Sequence, residues 1–464
     1  MGVEKTEKGR SMFRTLVLLA LPTMLEHLLS TLMQYVDTAM VGRLGADATA
    51  AVSTTTTITW LTGSLAASVA VAVLTGIATE IGAGRRDRVS RIAAQALLLS
   101  ITVGVIIAAV SVGLSPYIPG WMGIDVSVQK AASLYFTIIS IPMVFRSFAI
   151  ILGSAIRATH DTKTPMVISL TSNALNVVLN AFLIYGLKLG VTGAALSTAI
   201  STAICGTWML IVFLRNDTLH FSVSMLKPDK EVLPELLRIS APVLATSFTS
   251  CMGYVVFAGM ITGLGKVIFA AHSIAVTAEE FFYLPGYGLR SATQTLIGNS
   301  LGERDVKKFK EVSRVSILFT LAMMFVSGVV LFFAAYPLMR VFTSSEEVAF
   351  IGAGVLKMVA FSEPFFGLQI VLEGIYYGTG RTRLPFLINT ISMWAVRLLL
   401  TYLCVSVWGL GLRAVWGCMI TDNVCKALAF SVAVLLGAKT FFKKMGSGYK
   451  GLEESADINN KTSE

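Results

Sequence analysis

Long apolar runs separated by short polar or charged segments recur along the whole 464-residue chain. Twelve of these runs are long enough to cross a bilayer as helices, which takes about 20 residues each. They cover roughly residues 15–41, 48–76, 92–114, 131–152, 164–186, 191–214, 239–262, 267–298, 312–335, 350–377, 384–408 and 412–437. The expected fold is an all-α polytopic membrane protein with twelve transmembrane helices. Composition agrees: 55% of residues are hydrophobic and 14% charged, where a water-soluble domain carries about 25% charged residues.

The pattern is written twice. Shifting the chain by 220 residues lays it on itself without a gap: Pro22 falls on Pro242, Met40 on Met260, Leu44-Gly45 on Leu264-Gly265, Ser53 on Ser273, Gly82 on Gly302 and Pro165 on Pro385. Each copy holds six helices. An even number returns the chain to the side it started from, so both copies insert in the same orientation. The pseudo-twofold relating the two six-helix bundles therefore runs along the membrane normal. The expected organisation is an N-terminal tail over 1–14, a first lobe over 15–214, a charged linker over 215–238, a second lobe over 239–437 and a tail over 438–464. Two joined lobes suit a carrier that moves between two states, and they suffice for a monomer.

The formal net charge of +10 invites a nucleic-acid partner, but its distribution argues against one. One set of alternate loops carries only Arg43, Lys130, Lys188, Lys266, Arg340, Lys357 and Arg413, and the termini, the linker and the other loops hold most of the rest. This is the positive-inside asymmetry, which places both termini in the cytoplasm of a multi-pass protein of the plasma or inner membrane. The first dozen residues, MGVEKTEKGRSM, lack the apolar core and cleavage site of a secretory signal, so the first helix is expected to stay in the mature protein. The tail after Lys439 is polar and lysine-bearing, with a disordered end expected. Cys205, Cys251, Cys404, Cys418 and Cys425 all lie inside spans and read as small apolar packers, not disulfides or metal ligands. There is no GxxxxGK[ST] loop or HExxH, and the four histidines are scattered. Neither an enzyme nor a cofactor is expected, and transport would draw on an ion gradient.

The candidate chemistry is the set of polar groups inside the apolar runs. Asp37, in the stretch MQYVDTAMVG, is the most demanding, since an ionisable group within a span costs about 2.5–3.5 kcal/mol on insertion scales. At about 1.5 Å per residue it falls in the outer half of the first span. Asn176 and Asn180 on the fifth span and Thr198 on the sixth reach a similar depth. Asn173, Asn176 and Asn180 share one helix face, as do Glu26, Ser30, Met33 and Asp37. A carboxylate facing amide and hydroxyl oxygens suits H⁺ or a small cation such as Na⁺. Asp37, Asn176, Asn180 and Thr198 are thus the candidate ion-coupling residues. Asparagines also join helices through structural hydrogen bonds, the simpler reading of Asn173.

Glu26, Gln34, Glu279, Glu280, Glu363 and Arg397 form a second candidate set, for a substrate cavity or a second charged site. Glu279 and Glu280 are about 100° apart around one helix, so they face different surroundings. Glu363 and Arg397, both near the midplane, are candidates for an ion pair. Asp422 and Lys426, spaced i, i+4, are expected to form a structural pair. The 19 Met and 26 Phe residues would suit adaptable walls for bulky apolar ligands.

Three stretches carry a resemblance: PTMLEHLLSTLMQYVDTAMVGRLG in the first span, RATHDTKTPM after the fourth and AAHSIAVTAEEFFYLPGYGLRSATQTLIGNSLG in the eighth. They resemble the MATE (multidrug and toxic compound extrusion) transporters of prokaryotes, of the DinF-like or NorM-like branch, over essentially Leu16 to Gly437. The resemblance implies a V-shaped pair of bundles alternating between outward-open and inward-open states. It also implies export of small amphipathic organic cations in exchange for H⁺ or Na⁺. Under it Asp37 matches the family's first-helix acid, Asn176 and Thr198 its polar partners, and Glu279 a glutamate of the eighth-helix motif. Asn180 stands where many members have an aspartate. Ser250 and Phe366 stand where the NorM branch has C-terminal-lobe acids, which favours coupling through Asp37. The competing readings are a lipid or lipid-linked oligosaccharide flippase of the same superfamily and a non-transporting membrane receptor or enzyme. The mid-membrane acids suit cationic cargo better than the first, and the gap-free repeat without a nucleophile counts against the second.

Overall fold

The computed structural model describes residues 2–123 and 125–461, with side chains from residue 11 to 437 apart from residues 46, 54, 56, 57 and 124. No strand occurs among the described residues. The chain forms α1 (Gly2–Gly42), α2 (Ala46–Gly82), α3 (Arg86–Leu114), α4 (Val126–Ser140 with Met143–Ala158), α5 (Lys163–Gly186) and α6 (Gly190–Leu214). The second half forms α7 (Val232–Thr262), α8 (Lys266–Gly302), α9 (Val306–Phe342), α10 (Glu346–Gly378), α11 (Arg383–Val407) and α12 (Leu412–Lys461). Eleven of these are long and apolar enough to span a membrane, and the bent α4 makes the twelfth. Its 54° bend falls at Ile141-Pro142, where proline lacks the amide that would continue the helix. α1 already runs through the segment expected as a tail, and α12 continues as a helix to Lys461. Residues 462–464, the expected disordered end, lie outside the described residues.

The repeat is visible in the helix boundaries. α2 and α8 have the same length, 37 residues, and begin and end at equivalent positions. They also cross each other at one end. A Cβ on Gly302 would stand 2.0 Å from the carbonyl oxygen of Thr79, and one on Gly82 would stand 2.2 Å from that of Asn299. Thr79 and Asn299 are themselves repeat partners, so the contact is reciprocal, as at a twofold interface. No side chain fits between these backbones. Around the crossing, the Gln294 side-chain amide donates to the Val71 carbonyl at 2.9 Å and to Thr75 Oγ1 at 2.8 Å. Thr75 donates onward to the Tyr377 carbonyl at 2.8 Å, and His160 Nε2 lies 2.7 Å from Asn299 Nδ2. These contacts close the seam between the lobes on the face that carries the Lys- and Arg-rich loops, here called the basic face.

The first helix of each half is exchanged at the same end. Leu16, Leu19 and Ala20 of α1 pack with Leu289, Ala292 and Leu296 of α8 and with Phe309 of α9. The equivalent Leu236 and Ile239 of α7, with Val232, pack with Ile77 and Ala78 of α2 and Ile92 of α3. Each base therefore belongs to the opposite lobe's core. The exchange ends near Pro22 and Pro242, the prolines inside α1 and α7.

The linker is strapped to α3. Arg91 donates to both oxygens of Asp229, at 2.6 and 2.9 Å, and to Glu231 at 2.9 Å. Gln95 donates to the carbonyls of Met225 and Lys227 and accepts from the Asp229 amide. Ser90 donates to the His220 carbonyl at 2.5 Å. The Arg91 guanidinium holds the Asp229 carboxyl below the ordinary carboxylate range. A lowered folded-state pKa gives stabilisation that is complete above the unfolded value of about 3.9 and is lost only as pH falls below it.

Two outcomes are expected. Proteolysis within residues 215–231 should be slow and constant from pH 8 down to about 5, and rise in acid; Asp229→Ala should raise the neutral-pH rate about fivefold. Gly302→Val should widen the distance between spin labels at positions 83 and 303 by about 2 Å or more. Gly113→Val, with nothing within 4 Å of its Cβ, should leave that distance unchanged.

Candidate functional site

The N-terminal-lobe site is assembled where α5 changes its winding. Its α-helical part ends at Asn180 and a π-helical turn follows over Ala181–Gly186. Such wide turns often mark functional positions. Asn180 is fully buried. Its amide nitrogen donates to Asp37 Oδ1 and, at 3.3 Å, to Asn176 Oδ1, while its oxygen accepts from Ser197 Oγ. Three of the four hydrogen bonds open to a side-chain amide are thus in use, and they join α1, α5 and α6. Asn176 donates in turn to Thr198 Oγ1 at 3.4 Å and Ser201 Oγ at 3.2 Å. The Tyr185 hydroxyl fixes α5 to the far end of α1 through the Met40 carbonyl, at 2.8 Å. Asn173 donates to Ser30 at 2.9 Å, a helix-to-helix tie.

The four candidate coupling residues are therefore brought together, with a different order of contact from the one depth suggests. Asn180 is the direct partner of Asp37, and Asn176 and Thr198 stand behind it. Ser197 and Ser201 were missed. They flank Thr198 at i−1 and i+3, and hydroxyls in an apolar helix are too common to single out. Asp37 has no cation within ion-pair distance among the described residues, although the buried Tyr135 lies within electrostatic reach of both it and Arg146.

The second candidate set is not one site. Glu26 is buried and held by Arg157 of α4, whose guanidinium lies 2.8 Å from both carboxylate oxygens. The pair ties α1 to α4 within the first lobe. Gln34 is exposed, and among the described residues its side chain joins neither cluster. Glu280 accepts from the Tyr35 hydroxyl at 3.2 Å, which links the helix carrying Asp37 to the opposite lobe. The Tyr35 ring also meets Phe281 and Phe342 there. Glu279 turns instead into its own lobe, where Arg397 is in electrostatic reach.

The candidate Glu363–Arg397 pair does not form. Arg397 sits on a π-helical turn, Ser392–Leu398, and meets Asp422 of α12 at 2.8 Å. Lys426 reaches the same carboxylate at 2.9 Å, as its i, i+4 spacing predicts, and Ser392 donates to its other oxygen at 2.5 Å. Asp422 thus takes both cations, and its zero exposure makes the pairing obligatory. Glu363 is left buried, with Oε2 lacking a hydrogen-bond partner. A further pair was missed: Glu373 receives Arg290 at 2.6 Å and the Tyr377 hydroxyl and Asn389 amide at 2.9 Å each.

Among the described residues, twelve helices in two repeated lobes, closed at one end and carrying uncompensated acids at depth, define a membrane transporter. A family model described as MatE matches residues 22–182 and 242–403, once in each half. The chain belongs to the MATE family, whose members are transporters and not enzymes. It is 27% identical over 418 residues to a probable multidrug resistance protein, NorM, of Thermotoga maritima, covering 89% of this chain and 90% of that one. It is 26% identical over 431 residues to the multidrug export protein MepA of Staphylococcus haemolyticus, covering 92% and 94%. Its fold matches a crystal structure of MATE in the bent conformation, with a TM-score of 0.88 at 20% identity over 95% and 99% of the two chains. It also matches a MOP superfamily transporter from Pyrococcus furiosus, with a TM-score of 0.87 at 21% identity over 94% and 97%.

Asn180→Leu should lower unfolding stability in detergent by about 1–3 kcal/mol, because Asp37 and Ser197 both lose their buried partner. Thr198→Val, at the edge of the network, should cost no more than about 0.6 kcal/mol. Thermal unfolding of the two variants beside wild type checks the order.

Proposed function

We propose that the chain is a secondary active multidrug exporter, moving amphipathic organic cations out across the cell membrane in exchange for H⁺ or Na⁺. The observation that carries this reading is the contrast among the acids within its spans. Glu26, Glu373 and Asp422 each hold a cation within 2.9 Å, and a paired charge in a low-dielectric interior is structure. Asp37 has an amide where the others have a cation. Its charge is free to be neutralised by a proton or Na⁺, or to attract a cationic ligand. The names carried by the NorM and MepA relatives support multidrug export as the physiological role.

In this mechanism H⁺ or Na⁺ arrives at Asp37 and removes the uncompensated charge. The Asn180 amide then faces a weaker, uncharged acceptor, and the bonds linking α1, α5 and α6 rearrange. Affinity for the cationic drug falls and the drug leaves outward. Loss of the ion to the cytoplasm restores the site. The ion moves the equilibrium only as far as its affinities for the two states differ. The crossing of α2 and α8 must part for the cytoplasmic side to open.

The test is efflux of a fluorescent cationic dye from proteoliposomes under an imposed pH gradient and then a Na⁺ gradient. Wild type should respond to one of them, and Asp37→Asn should lose at least about 90% of the gradient-driven rate while still folding. Wild-type efflux in Asp37→Asn would sink the assignment and move coupling to Glu279 and Glu363.

A further inference from the structure

The first lobe encloses a free cation as well as a free acid. Arg146 follows Pro142, at the break in α4, by four residues and lies deep within the lobe. Its backbone is wedged between two neighbours. A Cβ on Gly104 of α3 would stand 2.5 Å from Val144 Cα, and one on Gly206 of α6 would stand 2.1 Å from the Phe145 carbonyl oxygen. With Val144 and Phe145 held at backbone distance by α3 and α6, the next side chain turns toward α2. Gly63 leaves it room there: a Cβ at that position would come within 3.4 Å of Arg146 Nη2.

Among the described residues no carboxylate pairs with the Arg146 guanidinium and no acceptor takes a hydrogen bond from it. Arg157, Arg290 and Arg397, by contrast, hold Glu26, Glu373 and Asp422. Nor is the group sealed in. Arg146 is half-buried, and its nitrogens are not among the enclosed atoms without partners, as Nε of Arg157 and Arg397 are. They therefore open onto a crevice inside the lobe.

The repeat shows that this cation is no part of the duplicated scaffold. Carried across it, Gly63 becomes Tyr283 and Arg146 becomes Phe366. Those two rings pack edge to face, with centroids 5.1 Å apart. One lobe fills the position with an aromatic contact, and the other empties it with a glycine and places a guanidinium there. A charge inside a span is costly, and packing alone would be served by the rings. Tyr135 ties the cation to the candidate coupling site. It is in electrostatic reach of both Asp37 and Arg146, and it packs with Val41 and Ile184, one turn beyond Asp37 and Asn180. The lobe thus offers one carboxylate and one guanidinium that do not quench each other.

We propose that Arg146 binds a carboxylate of the cargo, so that the molecules exported include amphipathic zwitterions, with the ammonium toward Asp37 and the carboxylate on Arg146. A guanidinium presents two parallel N–H donors to such a group. The inference rests on the export reading and adds a substrate class to it. A purely cationic cargo leaves the guanidinium uncompensated, whereas a zwitterion satisfies both charges, which makes Arg146 a specificity-determining residue.

The test is equilibrium binding to the full-length protein in detergent, without any gradient, read by fluorescence anisotropy. The probes are a rhodamine with a free benzoate and the methyl ester of the same dye. Wild type should bind both. Arg146→Gln should weaken binding of the benzoate dye about tenfold more than binding of the ester. Arg146→Lys, which keeps the charge without the two-pronged donor, should shift the ratio in the same direction by less, and it carries the test where Arg146→Gln does not fold. Wild type binding the ester alone, or a ratio that neither variant changes, would overturn the inference and leave cation export standing. Wild type binding neither dye would count against the export reading itself, and this inference would fall with it.

Discussion

At one point on the pseudo-twofold, two helices lie against each other with no side chain between them. Gly82 and Gly302 allow it, each facing a carbonyl of the opposite helix, those of Asn299 and Thr79, which are repeat partners of one another. A reciprocal backbone contact of this kind has little freedom to slide, because any shift that relieves one side closes the other. It fixes the basic-face ends of α2 and α8 as a pivot, and the other cross-lobe hydrogen bonds, from Gln294, Thr75 and His160, gather around it. A further cross-lobe contact, from the Tyr35 hydroxyl to Glu280, lies on the helix that carries Asp37.

The scaffold is symmetric and the chemistry is not. Carried across the repeat, Asp37 becomes Phe257, Asn180 becomes Leu400, Asp422 corresponds to Thr202 and Arg397 to Val177. The Arg397 guanidinium lies 5.9 Å from the ring of Phe257. At the location equivalent to the acid of one lobe, the other lobe therefore offers a cation committed to Asp422. Duplication supplied two frames, and the ionisable groups were placed in each one separately. Helix-widening π turns do recur near corresponding positions, Ala181–Gly186 and Leu403–Val407, so that irregularity belongs to the frame.

Much of this was legible in the order of residues. Twelve runs, their duplication and the internal linker follow from apolar length and from identities at a fixed offset, both one-dimensional properties. The grouping of Asp37 with Asn176, Asn180 and Thr198 was also accessible, because depth along a helix is counted in residues. Which of them touches the carboxylate was not, since that depends on how α1, α5 and α6 are rotated about their own axes against one another. The pairing of Arg397 failed for the same kind of reason. Glu363 matched it in depth, but partner choice among helices depends on azimuth, and Asp422 lay at the right angle with a second cation at i+4 to share. Glu26 shared a face with Asp37, and the arginine that claims it comes from α4, a helix whose proline break re-aims its lower half.

The exchange of α1 and α7 has a consequence for how the protein is made. α1 leaves the ribosome well before α8 and α9, yet the residues that enclose Leu16, Leu19 and Ala20 belong to those two helices. At about 5–20 residues per second, those partners arrive tens of seconds later. During that interval the base of α1 lacks the apolar partners that enclose it in the folded chain. α7, by contrast, emerges when α2 and α3 are already in place to receive Val232 and Leu236. Two structurally equivalent joints therefore close in different ways, one by a latecomer entering a finished lobe and the other by a lobe forming around a helix that has been waiting for it.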